Sequence, residues 1–155
     1  MKVYKGEDEE DKAVTRFGEA VRVKRNRLTR IPERVMKIEA YPAHLKDRRA
    51  PITRQNAEAT FKEFLREHKE VFGVEADDLV LASAKKINQR WYVKYGQTYK
   101  GIPVHNTSVG VEAAEDGKVH SYAANYQPDL DVNTEPKVDL ETAVEMARKT
   151  YPPGT

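Results

Sequence analysis

The chemistry this chain could perform is bounded first by its four imidazoles, His44, His68, His105 and His120. A zinc peptidase site needs His-Glu-x-x-His, a spacing that puts two imidazoles one helical turn apart on the metal beside a general base. None of the four has that context. His68-Lys69-Glu70 comes nearest and reads as helix surface. The absence of cysteine excludes a disulfide framework, a thiolate metal site and a cysteine nucleophile. No glycine-rich phosphate loop and no serine nucleophile elbow occurs either. Asp77-Asp78, and Asp129 with Asp131, lie in loop-like segments where solvation explains them better than a weak calcium site. Asn106-Thr107-Ser108 fits an N-glycosylation acceptor, a short pattern that arises often by chance. The expectation is a chain with no catalytic residue, no metal and no cofactor.

Binding chemistry is left. Between residues 20 and 40, Arg22, Lys24, Arg25, Arg27, Arg30, Arg34 and Lys37 meet only Glu33 and Glu39, with Glu19 just ahead. Arg22, Lys24, Arg25, Arg27 and Arg30 form a candidate polyanion strip. The competing reading is an edge hairpin turning near Arg30-Ile31-Pro32, since basic residues on edge strands discourage edge-to-edge pairing. There is no aromatic interleaving and no nucleic-acid motif, so the edge hairpin is favoured and no nucleic-acid partner is expected. Over the whole chain, 27 basic residues face 25 acidic ones, which gives no global pull towards a polyanion or a membrane. No apolar run approaches the roughly 20 residues of a membrane span.

The elements that would carry a binding surface are clearer. Trp91, Val93, Tyr95, Gln97 and Tyr99 fall on every second position, the period of a strand with one apolar face. Lys100-Gly101 offers a turn, Pro103 opens a second run with Val104, Val109, Val111 and Ala113, and Asp116-Gly117 is a strong hairpin signal. A third run carries Val119, Tyr122 and Ala124, with a further strand expected at residues 79–82 and a turn at Asn88-Gln89. Residues 53–72 read as one helix, capped by Thr53 and stopped by Gly73, with Ala57, Phe61, Phe64, Leu65, Val71 and Phe72 on one face. That stripe is expected to pack on the Trp91 to Tyr99 face, bringing Phe61, Leu65 and Phe72 against Trp91, Tyr95 and Val111. Gln97 is the polar exception on that face, and a buried amide needs a hydrogen-bond partner. Asp139 can cap a last helix with Leu140, Ala143, Val144, Ala147 and Tyr151 on one side. Such a stripe should fold back on the sheet or pack on a neighbouring chain. The expected fold is α+β: an antiparallel β-meander of about three to five strands, one long helix across one face, and a short C-terminal helix.

Gln97-Thr98-Tyr99-Lys100-Gly101-Ile102-Pro103-Val104, followed by a hairpin ending Asp116-Gly117-Lys118-Val119, resembles the FTP domain, the fungalysin/thermolysin propeptide module. Residues 64–74, with a Phe-Leu pair leading to a Phe-Gly stop, are similar to the helix end of that family. The resemblance implies a non-catalytic prosequence domain. Such domains act as intramolecular chaperone and inhibitor of a zinc metalloprotease catalytic domain, the implied partner. Gln97, Tyr99, Lys100, Gly101, Ile102 and Pro103 carry the motif and are the candidate contacts. It also implies a secreted parent, although residues 1–12 contain no apolar signal core. The expected organisation is a mobile segment at 1–19, an FTP-like domain at 20–130 with its core at 53–126, and a linker and helix at 131–155. The last part would be the truncated start of a PepSY-like half. A free-standing protein-binding or inhibitory module is the alternative, and a basic polyanion-binding domain a third.

Overall fold

In the computed structural model, which describes residues 12–47, 50–131 and 140–150, the alternating stretch is strand β4 (Arg90–Tyr99). Trp91, Val93, Tyr95 and Gln97 are buried on one side, while Tyr92 and Lys94 are exposed on the other. Around β4 a sheet assembles from β1 (Arg22–Arg25), β2 (Pro32–Ala40), β3 (Leu79–Ile87), β5 (Ile102–Pro103), β6 (Ser108–Ala114) and β7 (Val119–Asn125). Its order is β1-β2-β7-β6-β4-β3, with the two-residue β5 paired to the end of β4. Every pairing is antiparallel. The expected meander is present, and the sheet is extended on one side by β2 and β1.

The turns follow from their residues. Asn88 and Gln89 both have positive φ (49° and 67°), as do Lys100 and Gly101 (50° and 81°), the requirement of a two-residue turn between right-twisted strands. At the β6–β7 turn only Gly117 is left-handed (φ 96°), and Asp116 stabilises it by accepting from the Lys118 amide at 3.2 Å.

One helix lies across the sheet, against β3 and β4: α2 (Arg54–Glu67). Thr53 caps it reciprocally with Asn56, whose side chain accepts from the Thr53 amide at 2.8 Å. The tyrosine hydroxyl of Tyr95 donates to the Glu58 carbonyl at 2.7 Å and pins the helix to the sheet. The single helix expected over 53–72 is instead broken at His68 (φ −114°, ψ 31°), and α3 (Lys69–Phe72) follows. Gly73 (φ 73°) then ends α3. The break turns Phe72 down onto Tyr122, ring centroids 4.3 Å apart. Phe61, Phe64, Leu65, Phe72, Trp91, Tyr95, Val111 and Tyr122 share one core, as the apolar stripes required.

Two further differences stand out. Residues 12–17, within the segment expected to be mobile, form helix α1. Ala13 there is fully buried, and the Phe17 ring lies 6.2 Å from Phe64 and 6.0 Å from Phe72. At the other end lies α4 (Leu140–Thr150), whose stripe was expected to fold back on the sheet or pack on a neighbouring chain. Its described side chains, Val144, Met146 and Ala147 among them, are exposed. The side chains of Leu140, Ala143 and Tyr151, counted on the same stripe, lie outside the described residues, as do residues 1–11.

Candidate functional site

The motif residues split into a buried anchor and an exposed tip. Gln97 is 4% exposed and fully engaged. Its amide nitrogen donates to the Gln127 carbonyl at 2.8 Å, and its amide oxygen accepts from the Gln127 amide at 2.9 Å. Its backbone N–H donates to the Thr107 hydroxyl at 3.2 Å, and its carbonyl accepts from Val104 at 2.9 Å. The side chain thus imitates a strand partner for residue 127, where β7 has already ended. Gln97 is a clamp on the departing chain. Above it, Lys100, Gly101, Ile102 and Pro103 are exposed, and the Lys100 ammonium stands 5.3 Å from the centre of the half-buried Tyr99 ring.

The basic strip is not one surface. The Arg22 guanidinium donates to the carbonyls of Glu19, Ala20 and Val21 at 3.0–3.3 Å, closing the bend that enters β1. Lys24 pairs with Glu33 at 3.7 Å, and Arg25 donates to the Arg30 carbonyl at 3.1 Å. Arg25 and Arg30 border a depression on the opposite side from Lys24, near Ile31 and Glu70. Arg27 is exposed in the β1–β2 turn, where the Asn26 side chain accepts from the amides of Leu28 and Thr29. The five residues are divided between two faces and a turn.

A third surface was not legible in the sequence. With α2 on one side, the other face of the sheet is left open by the described residues, and the strand pairings align its side chains in rows across six strands. One row runs Lys24, Arg34, Ala123, Gly110, Lys94, Ser83. The next runs Arg22, Met36, Ser121, Glu112, Tyr92, Lys85. Two depressions of about 350 Å³ each lie on this face and share Lys94, Gly110 and Ala123. Glu112 is tied to Arg90 and accepts from the Ser121 hydroxyl; burial works to raise its carboxyl, but the bonds from Arg90 and Ser121 together hold it below the ordinary value. Arg34, Lys85 and Lys94 are exposed, with no acidic partner among the described residues. The one signal in the sequence was negative: glycine and alanine where β6 and β7 turn outward.

Two of the four histidines, His68 and His120, are engaged with neighbours. His120 meets Glu39 at 2.8 Å, and His44 and His105 are exposed. His68 is not plain helix surface: its ring lies 4.5 Å from Phe64 and 4.9 Å from Phe17, and Nδ1 is 2.9 Å from the Arg16 guanidinium. Desolvation among these rings, then the charges of Arg16 and Lys46, lower its pKa to about 4. Asp77 is held by Arg66 at 2.6 Å, which lowers its carboxyl. Among the described residues no cluster could hold a metal ion, and no helix is long and apolar enough to cross a membrane.

The clamp, the Lys100-Gly101 turn and the hairpin closed by Gly117 fall inside a matched segment. Residues 91–126 match the Fungalysin/Thermolysin Propeptide Motif. The FTP motif therefore covers β4 to β7 and stops short of α2. The whole fold is similar to the Bacillus megaterium YpeB C-terminal domain, with a TM-score of 0.51 at 14% sequence identity. That likeness covers 94% of this chain and 74% of the other, and shows a shared fold. No curated protein matches the chain in sequence.

Proposed function

We propose that the chain is a prosequence domain, itself non-catalytic, that binds the catalytic domain of a thermolysin/fungalysin-type zinc metalloprotease as its chaperone and inhibitor. The observation that carries this reading is the propeptide motif at residues 91–126. It is supported by the sheet face away from α2, on which Arg34, Lys85 and Lys94 are exposed. A secreted parent and a PepSY-like continuation through α4 belong to the same reading. In trans the effect should be weak, because a separate chain loses the high effective concentration that a peptide bond confers. The test is refolding yield and residual peptidase activity of the cognate mature domain, with and without the chain at micromolar concentration. Improved yield and lowered activity support the proposal, and no change in either overturns it.

A second reading, a free-standing protein-binding module, is favoured by the reach of the fold likeness, which covers 94% of the chain while the motif covers residues 91–126. A downstream reading frame encoding His-Glu-x-x-His decides between the two. The polyanion reading is weakened by the division of its five residues, and salt-dependent retention on heparin tests it.

A further inference from the structure

The open face of the sheet has a shape and a charge that select a particular occupant. Its floor is made by Gly110, Ala123 and Ser121 on β6 and β7. Its walls are the longer side chains of β2 and β4: Arg34 with half-exposed Met36 on one side, Lys94 with Tyr92 on the other. Three strand spacings separate those walls, roughly 14 Å. An α-helix with its side chains is about 10–12 Å across. The floor lies on a sheet face, where backbone N–H and C=O groups are already paired within the sheet. An extended segment laid there would find no backbone partners, whereas a helix brings its own satisfied. Arg34, Lys85 and Lys94 stand around the trough without acidic partners among the described residues, while Glu112 is already neutralised by Arg90. A single-stranded nucleic acid would look for a series of stacking platforms, and among the described residues the two rows offer one aromatic ring, Tyr92.

We infer that the trough between β2 and β4 docks an amphipathic helix of a partner protein, with small or apolar residues facing Gly110 and Ala123 and acidic residues along its flanks. The inference rests on the protein-binding reading above and supplies the chemistry of the partner's contact. It also moves the principal contact away from the tip at residues 100–103.

The test uses the isotope-labelled chain and a synthetic helical peptide with an alanine/leucine stripe flanked by glutamates. Titration should shift the amides of Lys94, Gly110 and Ala123. Arg34→Glu with Lys94→Glu, both at exposed positions, should weaken binding by at least about tenfold with the fold retained by circular dichroism. Shifts confined to residues 100–103, no shifts at all, or equal binding of a lysine-flanked peptide would overturn the inference. Stronger shifts at the same amides with a single-stranded oligonucleotide would overturn it in favour of a polyanion. The cognate catalytic domain is titrated separately. If the chain binds the peptide but not the domain, the trough stands and the prosequence reading falls. If the domain binds wild type and the double variant equally, the prosequence reading stands and the trough falls.

Discussion

At the scale of single residues, Gln97 and His68 show how far local reading reaches. Gln97 announced itself as a polar residue on an apolar face, and the need for a partner followed from the cost of a bare buried amide. That the partner is residue 127 could not follow, because the contact spans 30 positions. Gln97→Leu keeps the shape and strands both backbone groups of Gln127, so it should cost about 1–3 kcal/mol in urea denaturation. A loss below about 0.5 kcal/mol would mean that residue 127 is satisfied by solvent instead. His68 looked like helix surface because Phe17, the ring that covers it, arrives from 51 positions upstream. With its folded pKa near 4 and an ordinary value of 6.5, the unfolded chain takes up the proton first. The contribution is therefore complete above about pH 6.5, falls as pH drops towards 4, and is flat below. Urea midpoints at pH 7.0 and 4.5 should drop further for wild type than for His68→Gln, in which nothing titrates there. An equal drop in the two proteins would show that His68 is solvated in the folded state.

At the scale of elements, what was legible was what the chain writes locally. Strands β4, β6 and β7, the helix cap at Thr53 and three turns all rest on neighbours within a few positions. What was hidden depended on distance or irregularity. Strand β2 was expected as one half of an edge hairpin, but its place beside β7 was not: it carries positive φ at Lys37 and Glu39, and its pairing with β7 shifts between Met36 and Ala40. The open face escaped notice because small residues announce nothing until the strands lie side by side. Turn chemistry can be tested by a matched pair. Gly101 and Gly117 both have positive φ, but a Cβ at Gly101 meets nothing within 4 Å, while one at Gly117 would lie 2.6 Å from Leu45 Cδ1. Gly101→Ala should cost about 1–2 kcal/mol, the conformational penalty alone. Gly117→Ala should cost more, since Leu45 must also move, and equal losses would show that the loop at Leu45 yields freely. Phe61, buried at the centre of α2, should lose roughly 3–5 kcal/mol on replacement by alanine. A loss under about 1 kcal/mol would place it outside the core.

At the scale of the whole molecule, stability is concentrated in the sheet, α2 and α3, with α1 fastened to them through Phe17. The described side chains of α4 are exposed, so a chain ending at Asp131 should keep its unfolding free energy within about 0.5 kcal/mol of the full chain. A larger loss would mean that α4 docks on the body. The sheet is not closed, and β1 and β3 are its two outer strands. Each is interrupted, β1 by a register shift at Lys24/Arg25 and β3 by one between Leu81 and Ser83, and each carries basic residues: Arg22, Lys24 and Arg25 on one, Lys85 and Lys86 on the other. Kinked, cationic borders discourage the edge-to-edge pairing of one sheet with the next that seeds fibrils.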